Sequence, residues 1–108
     1  MTPRKSRFSL VFAPEVVQHI SAIERKYHSL IAKTLDEQLT FAADEQTANR
    51  KLLEQPAPFD AAWELRFGPH NRFRVFYEVN VVDREVIILA IGVKEGNRLW
   101  VGREEFRL

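Results

Sequence analysis

An α+β domain, with a two-helix hairpin packed on one face of a small, twisted, mainly antiparallel sheet in the order β-α-α-β-β-β, is the fold this sequence predicts. Three observations carry that expectation. Trp63 to Val79 (WELRFGPHNRFRVFYEV) alternates apolar and polar residues on both sides of a Gly-Pro-His-Asn turn, the pattern of a hairpin with one buried face. Between Val16 and Leu39 the apolar residues recur every three or four positions, which is helical spacing. Glu85 to Val93 is almost continuously apolar, as in a central strand covered on both faces. The 108 residues suffice for one core and not for two, so residues 1–108 are read as a single domain.

In chain order, Arg7 to Phe12 alternates with Phe8, Leu10 and Phe12 on one side, and Ala13-Pro14 ends this strand with a residue suited to a helix's first turn. Val16, Ile20, Ile23, Tyr27, Leu30 and Ile31 then form the stripe of a first helix, with Glu15 at its positive end. Ser29 is placed to cap a second helix carrying Leu30, Leu35, Leu39 and Ala42-Ala43; one long bent helix is the alternative. Gln55-Pro56-Ala57-Pro58 blocks further helix and marks the crossing to the sheet, because two prolines remove donors and restrict the residues before them.

In the hairpin, Trp63, Leu65 and Phe67 take one side, and Glu64 and Arg66 the other. On the returning strand Phe73, Val75, Tyr77 and Val79 are apolar, leaving Arg74, Phe76, Glu78 and Asn80 opposite. The third strand divides into Ile87, Leu89, Ile91 and Val93 against Ile88, Ala90, Gly92 and Lys94. Ala90 and Gly92 are thus expected to floor a shallow groove beside Arg66 and Arg74, with Lys94 at its edge. Leu99-Trp100-Val101 reads as a short last strand before a charged tail, Gly102 to Leu108.

Composition narrows the functions. Sixteen Lys and Arg against 15 Asp and Glu leave a net charge of +1, so any phosphate-binding surface must be local. Two such local excesses exist: Arg66, Arg72 and Arg74 against Glu64, and Lys94, Arg98 and Arg103 against Glu95. With no cysteine the chain has no disulfide, no thiol nucleophile and no cysteine-bound metal, which fits a cytoplasmic protein. His19 and His28 have no ligand at metal-binding spacing, so neither a metal nor another cofactor is expected. No apolar run approaches the roughly 20 residues that span a bilayer, and the basic start, Met1 to Lys5, leads into an alternating strand rather than a secretory leader.

The segments NRKLL, WELRFG, RFRVFYEV and ILAIGVKEGNRLWVGREEF together resemble the RelE/ParE superfamily of type II toxin-antitoxin toxins, over nearly the whole chain. For a RelE-like member the resemblance implies a ribosome-dependent, metal-free messenger-RNA endonuclease that is neutralised by a cognate antitoxin. A ParE-like member would instead be a non-catalytic inhibitor of DNA gyrase, and a degenerate member would only bind its antitoxin. The family's middle-strand arginine at the scissile phosphate corresponds to Arg74. The basic residues of its preceding strand correspond to Glu64 and Arg66, of which one is basic here. Where the family carries a C-terminal arginine and a proton-transferring tyrosine or histidine, this chain has Gly96-Asn97-Arg98 and Trp100.

Such cleavage needs a base for the 2′ proton, cations for the phosphorane and an acid for the leaving oxygen. Arg74, Arg66 and Lys94 are the candidate phosphate cations, since guanidinium presents a planar fork matched to phosphate oxygens. Arg72, Arg50, Lys51 and Arg98 are candidate RNA contacts, Phe76 a candidate stacking platform, and Glu64 and His70 candidate acid/base groups. Each also has a plainer reading. Arg66 and Arg74 suit cross-strand ion pairs with Glu64 or Glu78; Lys94 suits a solvated strand end, His70 an exposed turn tip, and Phe76 packing beneath a C-terminal segment.

Overall fold

The computed structural model describes residues 7–107; the basic Met1 to Lys5 stretch read above and Leu108 lie outside them. Its elements are β1 (Ser9–Phe12), α1 (Val16–Ser21), α2 (His28–Leu39), β2 (Arg50–Leu52), β3 (Trp63–Phe67), β4 (Phe73–Asn80), β5 (Glu85–Glu95), β6 (Arg98–Val101) and β7 (Glu104–Arg107). All seven strands join one sheet. β2 to β7 run antiparallel in sequence order, and β1 lies parallel to β5.

This corrects the expected two-helix hairpin on a small sheet. α1 has only 6 residues, because at Glu24 the backbone turns extended (φ −52°, ψ 134°) and breaks the apolar stripe. His28, in the first turn of α2, donates from Nε2 to the Ile23 carbonyl at 2.8 Å, fixing that break. α2, of 12 residues, is the one substantial helix. The sheet is larger than expected for a matching reason: β2 (RKL) and β7 (EEFR) are short and charged, the composition that sheet edges tolerate and that alternation patterns overlook.

The helix side holds the main core. Val16 of α1 and Ile31, Leu35 and Leu39 of α2 pack on Leu65, Phe67, Phe73, Val75 and Tyr77. The Tyr77 hydroxyl donates to the Ala43 carbonyl at 2.8 Å, and burial pushes its pKa above the ordinary tyrosine value. β5 departs from strict alternation. Phe76 faces Ala90 while Tyr77 faces Ile88, so Leu89 is an extra, bulged residue. Val86 and Ile88 before the bulge, and Ile91 after it, therefore all reach the helix-side core.

The bulge lies where β5 changes neighbours. β1 pairs with Glu85 to Ile88 and β6 with Gly92 to Glu95 on the edge away from β4. Between them the Ile91 N–H donates to His19 Nδ1 of α1 at 3.3 Å, so the imidazole completes a ladder that no strand completes there.

The face away from the helices is not an open groove. Phe76, Ala90, Leu99, Val101 and Ala61 form a second buried cluster, against which Leu53, Phe59, Leu89 and Phe106 pack. The segment after β2 makes this cover: Phe59 and Asp60 adopt left-handed conformations (φ 59° and 54°), and the Phe59 ring sits 5.3 Å from Phe76 and 5.1 Å from Phe106. The expected floor at Gly92 is closed as well, since a Cβ there would lie 2.8 Å from both the Trp100 carbonyl and Val101 Cγ2. Among the described residues no helix is long and apolar enough to cross a membrane.

Candidate functional site

The β3–β4 hairpin brings Arg66 and Arg74 directly opposite each other. Their alternation partners Leu65, Phe67, Phe73 and Val75 lie in the helix-side core, so both guanidiniums belong to the helix-free face. Like charges opposed across a ladder repel. Glu64, two residues before Arg66 on the same face, answers that repulsion: its Oε1 accepts from Arg66 Nε at 2.5 Å, and its Oε2 lies 3.7 Å from Arg74 Nη1. One carboxylate thus joins two guanidiniums, leaving the trio with one net positive charge.

Burial divides the trio. The side chains of Glu64 and Arg74 are 6% and 7% exposed, whereas that of Arg66 is 33% exposed. Arg74 is also tethered by its Nε, which donates to the Asn71 carbonyl of the turn at 3.0 Å. Desolvation pulls the Arg74 pKa below the ordinary arginine value; Glu64 opposes that shift and Arg66 adds to it. The Arg66 backbone is fixed from the other side, where its N–H donates to the Asn49 carbonyl and its own carbonyl accepts from Asn49 Nδ2, both at 2.9 Å.

The remaining candidates scatter. Lys94 lies two residues beyond Gly92, the partner of Arg74, and is half-buried on the same face. It lines a groove of about 320 Å³ with Asn97, Arg98, Glu105 and Arg107, in which Arg98 Nε lies 3.3 Å from Glu105 Oε1. Lys51, exposed, stands directly across from Glu64. Arg72 belongs to the helix side, with its guanidinium 5.4 Å from the Tyr27 ring centre and 3.9 Å from a Glu95 oxygen. Arg50, expected at RNA, is buried and committed to the Glu45 and Gln38 carbonyls and the Gln38 side chain. Phe76 lies within the second apolar cluster rather than on a surface where a base can stack, and His70 sits exposed at the turn tip. Among the described residues no histidine or tyrosine hydrogen-bonds to the Glu64–Arg66–Arg74 trio.

No family model matches this chain, and neither does any curated protein. The chemistry of the site therefore rests on its own geometry. Two opposed guanidiniums, that of Arg74 tethered to the Asn71 carbonyl and that of Arg66 held by Glu64, with an ammonium farther along the same face, offer donors of the kind that suit a tetrahedral oxyanion. No three or more described His, Asp or Glu residues converge as a metal would require. The sequence presents Asn49 beside the basic Arg50-Lys51 pair as a candidate RNA contact and Asn71 as a turn residue, but not their role of positioning the two arginines largely through their backbones; a carbonyl acceptor leaves no residue-type signal to find.

Proposed function

We propose that this chain is the toxin of a type II toxin-antitoxin module of the RelE/ParE superfamily, acting in the cytoplasm as a metal-independent endonuclease on ribosome-bound messenger RNA and neutralised by a cognate antitoxin. The cross-strand Arg66–Arg74 pair on the helix-free face carries this reading, because it supplies the cationic clamp that phosphoryl chemistry without metal needs. Lys94 extends the clamp along that face, and Lys51 borders it on the other side. Glu64 is the carboxylate nearest the clamp and the candidate base. The exposed apolar residues Val11 and Phe12 of β1 and Val17 of α1 suit coverage by the antitoxin.

A second reading is favoured by one observation. Arg74 is nearly excluded from solvent and already paired, and among the described residues no histidine or tyrosine hydrogen-bonds to it, which suits a ParE-like protein that inhibits DNA gyrase by binding alone. A degenerate, antitoxin-binding member is the third possibility that the same observation admits. Mapping of messenger-RNA ends in a translation reaction, run beside a gyrase supercoiling assay, separates the three. Cut ends that Arg74→Lys strongly reduces support the endonuclease; gyrase inhibition without cuts replaces it with the ParE-like reading; neither activity leaves antitoxin binding alone.

A further inference from the structure

We propose that Glu64 is the resident anion of a phosphate site built by Arg66 and Arg74, and that a phosphate enters by driving the Glu64 carboxylate across to Lys51. The site itself is drawn from geometry alone; only the identification of the entering phosphate with RNA rests on the function proposed above.

Three features support the assignment. First, the Glu64 carboxylate does what an oxyanion ligand does: one oxygen is 2.5 Å from Arg66 Nε and the other 3.7 Å from Arg74 Nη1. The two contacts are unequal. Arg74 is anchored independently through Nε to the Asn71 carbonyl, so it keeps its place when the carboxylate leaves. Second, the arginines are opposed across the ladder and would repel without an anion between them, so a departing Glu64 must be replaced by a ligand of like charge. A phosphate offers more acceptor oxygens than a carboxylate and takes two guanidiniums at once.

Third, the displaced carboxylate has a destination. Lys51 is the cross-strand partner of Glu64 on β2, and directly opposed side chains have Cβ atoms about 4.5–5.5 Å apart, within reach of a glutamate and a lysine. Lys51 is exposed and forms no ion pair among the described residues. Moving from the arginines to Lys51 exchanges one pairing for another and bares no lone carboxylate. The arrangement is a latch with two seats: Glu64 on Arg66 and Arg74 when the site is empty, Glu64 on Lys51 when phosphate is bound.

The test is a titration of the full chain with inorganic phosphate, read as melting temperature and as the Arg66 and Arg74 Nε–H resonances, with sodium chloride at matched ionic strength as reference. Phosphate should stabilise the wild type weakly and saturably. Glu64→Gln should lower the phosphate midpoint at least about tenfold, because the competitor's charge is gone; Arg66→Gln on that background should abolish the response. Lys51→Gln should raise the wild-type midpoint several-fold by removing the second seat. A folded Glu64→Gln variant with an unchanged midpoint overturns the resident-anion assignment, and an unchanged midpoint in Lys51→Gln overturns the latch. If Glu64→Gln folds in phosphate but not in chloride, that rescue supports the proposal. If it folds in neither, Glu64→Asp decides by the same criterion, since it keeps the buried charge but is one methylene too short to bridge both guanidiniums. None of these measurements needs RNA, antitoxin or gyrase, so they stand or fall apart from the endonuclease reading.

Discussion

Two neighbouring patches of the helix-free face begin on adjacent same-side residues of β4, Arg74 and Phe76, and are held in opposite ways. Around Phe76, the rings of Phe59 and Phe106 with Ala90, Leu99 and Val101 shut out water by non-directional burial. Around Arg74, burial that is nearly as deep at Arg74 and Glu64, though not at Arg66, is reached with charge, through Glu64, Arg66 and the Asn71 carbonyl. The apolar patch has no buried charge to be claimed by a ligand: Phe76 at its centre is fully covered, and only its rim, at Phe59, Leu89, Val101 and Phe106, opens on a cavity of about 810 Å³ beside α1. The ionic patch is closed by a partner that another anion can replace. Covering by hydrophobic contact fixes a surface, whereas covering by an ion pair stores a binding site.

The strongest way to break the contrast is to truncate its apolar side. Phe76→Ala should cost about 3–5 kcal/mol, the range for emptying a buried aromatic position, because Phe76 is fully buried. Chemical denaturation should show that loss to be the same at low and high salt. A variant that loses less than about 1 kcal/mol would mean that the segment carrying Phe59 closes over the gap.

Next in size is the ionic side. Sequence alone presents Arg74 as an exposed strand arginine, for which removal would scarcely affect stability. Its 7% side-chain exposure changes that expectation. Arg74→Ala should cost about 2–3 kcal/mol, since it breaks a buried pair while Arg66 still satisfies part of Glu64. If the clamp also acts on RNA, cleavage should drop on the order of a hundredfold to a thousandfold. Measured together, melting temperature and rate separate the two roles. Arg74→Lys keeps the charge and should recover most of the stability but little of the rate, because an ammonium lacks the two-pronged fork.

How much of this was legible follows from which signals are local. The hairpin and its two faces were readable, because period-2 alternation through Trp63 to Val79 is unbroken and the packing follows it. Ion pairs of Arg66 or Arg74 with Glu64 or Glu78 were readable from the shared face, but not that Glu64 alone joins both arginines, one along its own strand and one diagonally across the ladder. The bulge at Leu89 was not. It belongs to the register between two strands, and in a run as apolar as Val86 to Val93 the chemistry of each residue is the same on either side. The cover over Phe76 was legible in part, as packing beneath the C-terminal segment that carries Phe106; the part made by Phe59 escaped because it depends on left-handed Phe59 and Asp60, residues that carry no glycine to announce such a turn. The short charged edge strands β2 and β7 imitate loops in composition, and the break at Glu24 divides a stripe whose spacing looks continuous.

A third test concerns a polar group that serves the apolar architecture. His19 accepts the Ile91 N–H through Nδ1, so its neutral form is required. Burial lowers its pKa below the ordinary 6.5, against the opposing pull of Glu15 and Glu104. Because the folded pKa is depressed, the unfolded chain binds the proton first as pH drops; this contribution is intact above 6.5 and is lost below it. His19→Phe should cost about 1 kcal/mol at pH 7.5 for the orphaned amide, and should flatten the wild type's loss of stability between pH 7 and pH 5. An identical slope in both proteins would assign that pH dependence to other groups.

The smallest effect is the sharpest check on the idea that burial, not distance, gives the ionic patch its strength. Arg98 and Glu105 approach to 3.3 Å, closer than the 3.7 Å between Arg74 and Glu64. On distance alone the β6–β7 pair should be the stronger. Its side chains, however, are 65% and 34% exposed, so water screens the attraction and both long side chains surrender rotamer freedom to make it. Glu105→Gln should therefore cost less than about 0.5 kcal/mol, and about 1 M sodium chloride, with a Debye length near 3 Å, should erase even that difference. The cost of Arg74→Ala should survive the same salt, because a pair whose side chains are only 6–7% exposed is screened far less than one in water. Should Glu105→Gln prove as costly as Arg74→Ala, or should salt erase both losses alike, burial would no longer distinguish the two pairs, and the trio at Glu64 would be an ordinary surface ion cluster.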